Sequence, residues 1–323
     1  MLYSPGSGPR LGKSRPLGRE RAVLRRKRLG LQGTDMLVLV GFVVVLGAVL
    51  TGFTLAGGHV GALIQPSEFV TIAGASLGAL LVMSPKKVLL DVVRGILQSI
   101  KGSPYRKQAY LDLFNVSYEL LRIARRDGML ALEPHVCNPH ESQIFLNYPG
   151  IAKNHHVMQF ICGGLTPVLE GTVKPEQLPG MLESELRVIE AGHHPPLNVL
   201  SKTADALPGF GIVAAVLGIV VTMAAIDGPV EEIGEKVGAA LVGTFLGILL
   251  SYGFLAPLVV RMEFLGEAEL GYFRTIAVII RGFGDGVSPK LAIEQARRTM
   301  ATEVRLSREE LDELFEAAEK PSA

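Results

Sequence analysis

Four stretches of this chain contain no Asp, Glu, Lys or Arg: residues 36–58, 69–83, 206–226 and 237–260, with lengths of 23, 15, 21 and 24. A hydrocarbon layer of about 30 Å needs roughly 20 helical residues, so three of the four cross it outright. The second gives only roughly 22 Å at about 1.5 Å per residue. It is expected to draw residues 65–67 outside and Ser84 inside into interfacial turns. The stretches pair into two close hairpins separated by a long polar segment. The fold class expected is therefore an all-α integral membrane protein, with four transmembrane helices in two hairpins and a helical cytoplasmic domain.

Basic residues orient the hairpins. The first connecting loop, 59–68, has no Lys or Arg, and the loop 227–236 has only Lys236 against four acids. Lys86, Lys87, Arg94, Lys101, Arg106 and Lys107 follow the second stretch, and Arg261 and Arg274 follow the fourth. The positive-inside rule then puts both termini and the middle segment in the cytoplasm, with the hairpin loops outward. The division expected is a basic arm at 1–35, hairpins at 36–84 and 205–260, a cytoplasmic domain at 85–204 and C-terminal helices at 261–323.

The arm holds nine basic residues against Glu20 and Asp35, a charge of +7 in a chain of net +1. Two readings stand: an arm that binds anionic lipid and strengthens orientation, or a start assigned upstream of Met36. A cleaved signal peptide fits poorly, because an h-region spans about 7 to 15 residues. Cys137 and Cys162 both fall in the cytoplasmic segment and are expected to stay reduced.

No acid, base or histidine lies within the four stretches, although they carry Thr51, Thr54, Thr71, Ser76, Thr222, Thr244, Ser251 and Tyr252. Proton-moving membrane proteins display their titrating group as an intramembrane carboxylate or histidine. The chain therefore either conducts nothing or surrounds a partner that supplies the carboxylate. Pro208 and Pro257 lie three residues after Asp205 and four before Arg261, at matched depth near the inner face. Each removes a helix hydrogen bond and frees a carbonyl for water or a neighbouring helix. Gly74 with Gly78 and Gly243 with Gly247 form G-x-x-x-G pairs, which favour close packing within a subunit or between copies.

The polar segment reads as helical at 108–126, stopped by Gly128, and at 155–169, 175–189 and 289–302, the last capped by Ser288. Ser307 with Glu310 forms a capping box opening a helix at 308–319. His135, Cys137 and His140 have a spacing that a metal accepts, but four placed ligands are wanted and Pro134, Asn138 and Pro139 read as loop. No G-x-x-x-x-G-K-S/T, H-E-x-x-H or G-x-S-x-G occurs. No enzyme activity, cofactor, metal or nucleic-acid partner is expected.

Five segments together resemble the MotA family of flagellar motor stator subunits, over residues 36–319. They are M-L-V-L-V-G-F-V-V-V-L-G at the first stretch, G-G-H-V-G-A-L-I-Q-P-S-E-F-V-T-I-A-G-A at the first loop, R-R-D-G-M-L-A-L-E with N-P-H-E-S-Q-I-F in the cytoplasmic segment, D-A-L-P-G-F-G-I-V-A-A-V-L-G and V-G-T-F-L-G-I-L-L-S-Y-G-F-L-A-P-L. The resemblance implies a ring of five copies around a dimer of a MotB-like, peptidoglycan-anchored subunit whose membrane aspartate carries the ion. It also implies torque on a FliG-like rotor protein. By the same resemblance Pro208 and Pro257 match the channel prolines, Thr244 a pore-lining threonine, and Arg125 and Glu133 the charges that engage the rotor. Read from the residues alone, Arg125 and Glu133 are solvated surface charges. Arg126 adjoins Arg125 and competes for its role. Sodium-driven relatives place a threonine hydroxyl where this chain has Ala215, and a methyl cannot coordinate Na⁺, so protons are the expected ion. Two alternatives are an ExbB- or TolQ-like proton motor subunit, disfavoured because those have three spans, and a non-conducting membrane scaffold.

Overall fold

A computed structural model describes residues 37–224 and 226–319; the basic arm at 1–35 lies outside the described residues. Among the described residues the chain is helical, with no strand. Helix α1 spans Leu37–Leu55 and α2 spans Pro66–Met83, joined through a 3₁₀ turn at Val60–Leu63. Helices α3 (Lys86–Lys101), α4 (Lys107–Asp127), α5 (Met129–Cys137) and α6 (His155–Leu169) follow, with single turns at Gln143–Leu146 and Pro149–Ala152 before α6. Helix α7 runs Leu178–Met223 and α8 Val230–Ile248; a π-helical segment, Leu249–Leu255, joins α8 to α9, Ala256–Gly284. Helices α10 (Pro289–Thr299) and α11 (Arg308–Glu319) close the chain. Four helical segments are long and apolar enough to cross a membrane, which matches the two expected hairpins.

The 46 residues of α7 extend roughly 70 Å, so one helix serves both the cytoplasmic core and the membrane. The local pattern predicts a helix that ends at 189, before Pro195 and Pro196. Each interior proline costs about 3 kcal/mol of helix stability, yet α7 continues through both. Packing on either side offsets that cost: Leu178 and Leu182 are buried in the cytoplasmic core, and Leu200, Ala204 and Leu207 are buried toward the membrane. Helix α9 likewise carries the membrane-end Leu258 and the core residues Tyr272, Phe273, Ile276 and Ile280. The boundaries expected at 204/205 and 260/261 thus fall inside continuous helices.

The cytoplasmic core gathers α4, α5, α6, α9, α10 and α11 around Leu113, Phe114, Phe145, Phe160 and Tyr272. Burial of such side chains contributes about 1.5–3 kcal/mol each. Gly128 sits at φ 92°, in the left-handed region, and turns α4 into α5. Ser307 Oγ accepts from the Glu310 N–H at 3.2 Å while Glu310 Oε2 accepts from the Ser307 N–H at 2.9 Å, completing the expected capping box. Ser288 occupies the cap position of α10 without a side-chain capping bond. Pro134, read as loop, lies inside α5.

In the membrane part, α2, α7 and α8 meet along a seam of small residues. A Cβ on Gly211 would lie 2.7 Å from the Gly243 carbonyl oxygen, and one on Gly247 would lie 2.6 Å from that of Leu207. Gly243 and Gly247 therefore serve packing within the subunit. A Cβ on Gly74 or Gly78 would meet nothing within 4 Å, so the α2 pair lies open. Helix α1 has no buried residue; the Phe42–Phe254 ring contact at 4.8 Å ties it to the π segment.

Candidate functional site

Proline at 208 removes the N–H that would bond the Ala204 carbonyl one turn back. In the structure Ser251 Oγ, from the π segment, donates to that carbonyl at 2.7 Å, and both groups are buried. The carbonyl freed by one helix is thus held by the side chain of the other. Pro257 lies at the second residue of α9, directly after the π segment. There the Ala256 N–H bonds the Ser251 carbonyl, five residues back instead of four. The wider register absorbs the donor that Pro257 lacks, as insertions into the helical ladder do at bends. Leu207 and Leu255 pack in one apolar cluster, which brings the two proline segments together.

Ala215 is buried, 7% exposed, and its backbone N lies 3.2 Å from where a Cβ on Gly243 would sit. Thr244 is half-buried, and its Cα lies 3.2 Å from a Cβ position on Gly211. Thr244 and Ala215 thus belong to a single α7–α8 seam, which Pro208 adjoins through the Leu207 carbonyl that meets Gly247. Within one subunit that seam is packed shut rather than open as a pore.

One residue of this region escaped the sequence reading. The second span was drawn from residue 69, leaving Glu68 in the loop, but α2 begins at Pro66 and includes it. Pro66 takes the first helical position, where its missing N–H costs nothing. The helix therefore has 18 residues instead of 15. Glu68 is only 6% exposed, and its Oε2 is buried without a hydrogen-bond partner. The stretch 69–83 itself is free of acids as read, but the helix that carries it starts three residues earlier and brings a buried carboxyl into its first turn. The signal was available in Q-P-S-E, since a proline at the first helical position places the acid in the first turn.

At the cytoplasmic end, Arg125 lies in the last turn of α4 and Glu133 on α5; both are exposed. Arg125 Nη1 reaches the Gly286 carbonyl at 3.4 Å, whereas Arg126 is held by both oxygens of Asp127 at 2.8 Å. Arg126 is therefore engaged locally and Arg125 is the more available cation. No ion pair joins Arg125 to Glu133 among the described residues. His135 Nδ1 lies 2.8 Å from Ser142 Oγ, and no group of three metal-ligating residues occurs among the described residues. Burial, with the nearby Cys137, pushes the Cys162 thiol up to about 12. A cavity of about 650 Å³ under the inner face is lined by Lys87, Arg94, Glu185, His193 and Glu269 among others. In it Glu269 accepts from Tyr105 Oη at 3.0 Å and pairs with His193 Nε2 at 3.3 Å.

Residues 39–128 match the family "Motility protein A N-terminal", and residues 152–266 match the "MotA/TolQ/ExbB proton channel family". Motility protein A of Salmonella typhimurium is 36% identical over 89% of this chain and 97% of its own. That of Escherichia coli is 36% identical over 88% and 97%. Among solved structures, C. jejuni MotAB aligns with a TM-score of 0.68 at 21% identity, covering 85% of this chain and 99% of that one. The flagellar MotAB stator complex from Bacillus subtilis gives 0.63 at 22%, covering 80% and 92%. The paired membrane hairpins, the proline seam and this likeness along almost the whole chain agree: it belongs to the motility protein A family, the flagellar stator subunits within the MotA/TolQ/ExbB proton channel family.

Proposed function

We propose that five copies of this chain surround two copies of a MotB-like, peptidoglycan-anchored subunit whose membrane acid carries protons, and that the assembly drives a FliG-like rotor protein. The observation that carries this reading is the cross-helix bond from Ser251 to the carbonyl freed by Pro208. A carbonyl held by a neighbouring side chain can exchange partners without unwinding its helix. Gain and loss of charge on a partner acid beside this joint would then shift α7 against the π segment. Long α7 and α9 carry such a shift to the cytoplasmic core, where Arg125 and Glu133 face the rotor. Thr244 and Ala215 line the conducting side in this reading, and the Ala215 methyl favours protons over sodium.

Assembly with a partner is supported by the solved MotAB complexes that share the fold, and by the uncovered faces of α1 and of Gly74 and Gly78. Both termini lie in the cytoplasm of the inner membrane. The chain divides into hairpins at 36–84 and 205–260, with cytoplasmic parts at 85–204 and 261–323, although α7 and α9 run through two of the borders. Motility of a strain carrying Pro208→Ala or Pro257→Ala tests the joint. Swimming falls sharply while the protein still inserts and binds its partner; unchanged swimming in both variants refutes the joint.

A further inference from the structure

We propose that Glu68 is a proton-binding group contributed by this chain to conduction, its carboxyl taking up a proton from the outer side and releasing it to water in the channel formed with the membrane partner. This rests on the conduction reading above. The carboxyl occupies a niche that exists only because two facing residues lack side chains. A Cβ on Gly243 would lie 2.4 Å from Glu68 Oε2, and one on Gly218 would lie 3.6 Å from Oε1. Glutamate at the third helical position ordinarily folds back over the helix start in a capping box. Here the side chain turns into the seam instead, and its buried oxygen is left without a partner. Such a group in a membrane span is retained for function more often than for stability, because an unpaired polar atom in an apolar seam is destabilising.

Among the described residues no ion pair engages the carboxyl. Helix α7 presents Gly218, Ala214 and, one turn outward, Thr222, whose hydroxyl donates to the Gly218 carbonyl at 2.9 Å. Helix α8 presents Gly243; its charged residues Glu231, Glu232, Glu235 and Lys236 lie toward the outer end, and Lys236 is paired with Glu232 at 2.8 Å. The 3₁₀ turn before α2 carries no ionisable residue, and His59 precedes it. The proton step balances simply: the O–H bond breaks, the proton passes to water in the assembled channel, and the carboxylate regains a proton from outer water. The transmembrane proton gradient drives the cycle, and nothing is oxidised or reduced. Gly243 adjoins Thr244 and packs on Ala215, so the released proton emerges beside the positions already assigned to the channel wall.

The test uses the full complex of this chain with its membrane partner, in vesicles carrying a proton gradient, comparing wild type with Glu68→Gln and Glu68→Asp. Glu68→Gln keeps the shape and removes the exchangeable proton. Flux is expected to fall by roughly a hundredfold, the scale of a positioned proton-transfer group. Glu68→Asp is expected to retain an intermediate flux with an altered pH profile. Infrared difference spectra over a pH series, recorded with the partner's membrane acid neutralised in every sample, supply a readout independent of flux: a carboxylic C=O band that shifts in D₂O is present with wild-type Glu68 and absent in Glu68→Gln. Wild-type flux in Glu68→Gln, or the same band in both proteins, overturns the assignment. If Glu68→Gln fails to assemble, the Asp pH profile and the wild-type band decide: a titrating band with a shifted profile supports the assignment, and an unshifted profile overturns it. A wild-type complex without flux refutes the conduction reading, while the infrared band still judges proton binding at Glu68.

Discussion

Ser251 Oγ and the Ala204 carbonyl make the bond on which the joint depends. Removing the hydroxyl leaves a buried carbonyl unpaired, which costs about 1–3 kcal/mol. Ser251→Ala should therefore lower the melting temperature of the detergent-solubilised protein. In Pro208→Ala the restored N–H takes the Ala204 carbonyl, so Ser251→Ala should cost less in that background. Additive losses in the double-mutant cycle would contradict the coupling. Gly243→Ala drives a methyl into Glu68, the Ala214 methyl and the Ala215 backbone nitrogen, and overpacking of this kind costs about 1–3 kcal/mol. At the proposed rotor face, exposed pairs contribute only about 0–1 kcal/mol each, screened over a Debye length of about 8 Å. Arg125→Ala should then impair swimming partially, and Arg125→Glu should impair it more because it adds repulsion. Normal swimming in both Arg125→Glu and Glu133→Lys would return these residues to plain solvated surface. Pro208 was legible in the sequence because proline chemistry is local. Its acceptor was not, since nothing in a linear order marks that Ser251 meets Ala204 across the hairpin. Glu68 was missed for a related reason: a charge at the edge of an apolar run reads as a boundary until the proline before it fixes the helix start.

Among the elements, the helices marked by local signals agree closely with the sequence: the capping box opens α11, and Gly128 ends α4. The continuity of α7 through Pro195 and Pro196 was hidden because tertiary packing overrides proline's local preference. Helix α10 carries a charge cluster with a measurable signature. Hydrogen bonds from Arg297, opposed by burial and joined by Arg298, hold the Glu294 carboxyl down from its ordinary 4.5 to about 2. Arg297 also donates to the Leu306 carbonyl at 3.0 Å, anchoring the connection to α11. A depressed carboxylate adds stability above its unfolded pKa, and that stability is lost as pH falls through the folded one. The contribution should therefore fade between about pH 4.5 and 2. Thermal melts over that range should show a flatter pH dependence in Glu294→Gln than in wild type; an unchanged slope would place the acid sensitivity elsewhere.

For the molecule as a whole, the apolar stretches dictated two hairpins, and the structure supplies the reason they need company. Within one chain the α2–α7–α8 seam is closed by glycine contacts, while α1 and the Gly74–Gly78 face of α2 are left uncovered. A pore must then form between this chain and something else, even though the chain holds a carboxyl of its own. The most direct measurement is proton flux into vesicles containing this chain alone, its single-span partner alone, or the two together. Flux is expected only for the two together, and is expected to vanish when the partner's membrane acid is neutralised. Flux through this chain alone at the rate of the complex would contradict that shared pore, and so would a complex that conducts unchanged without that acid.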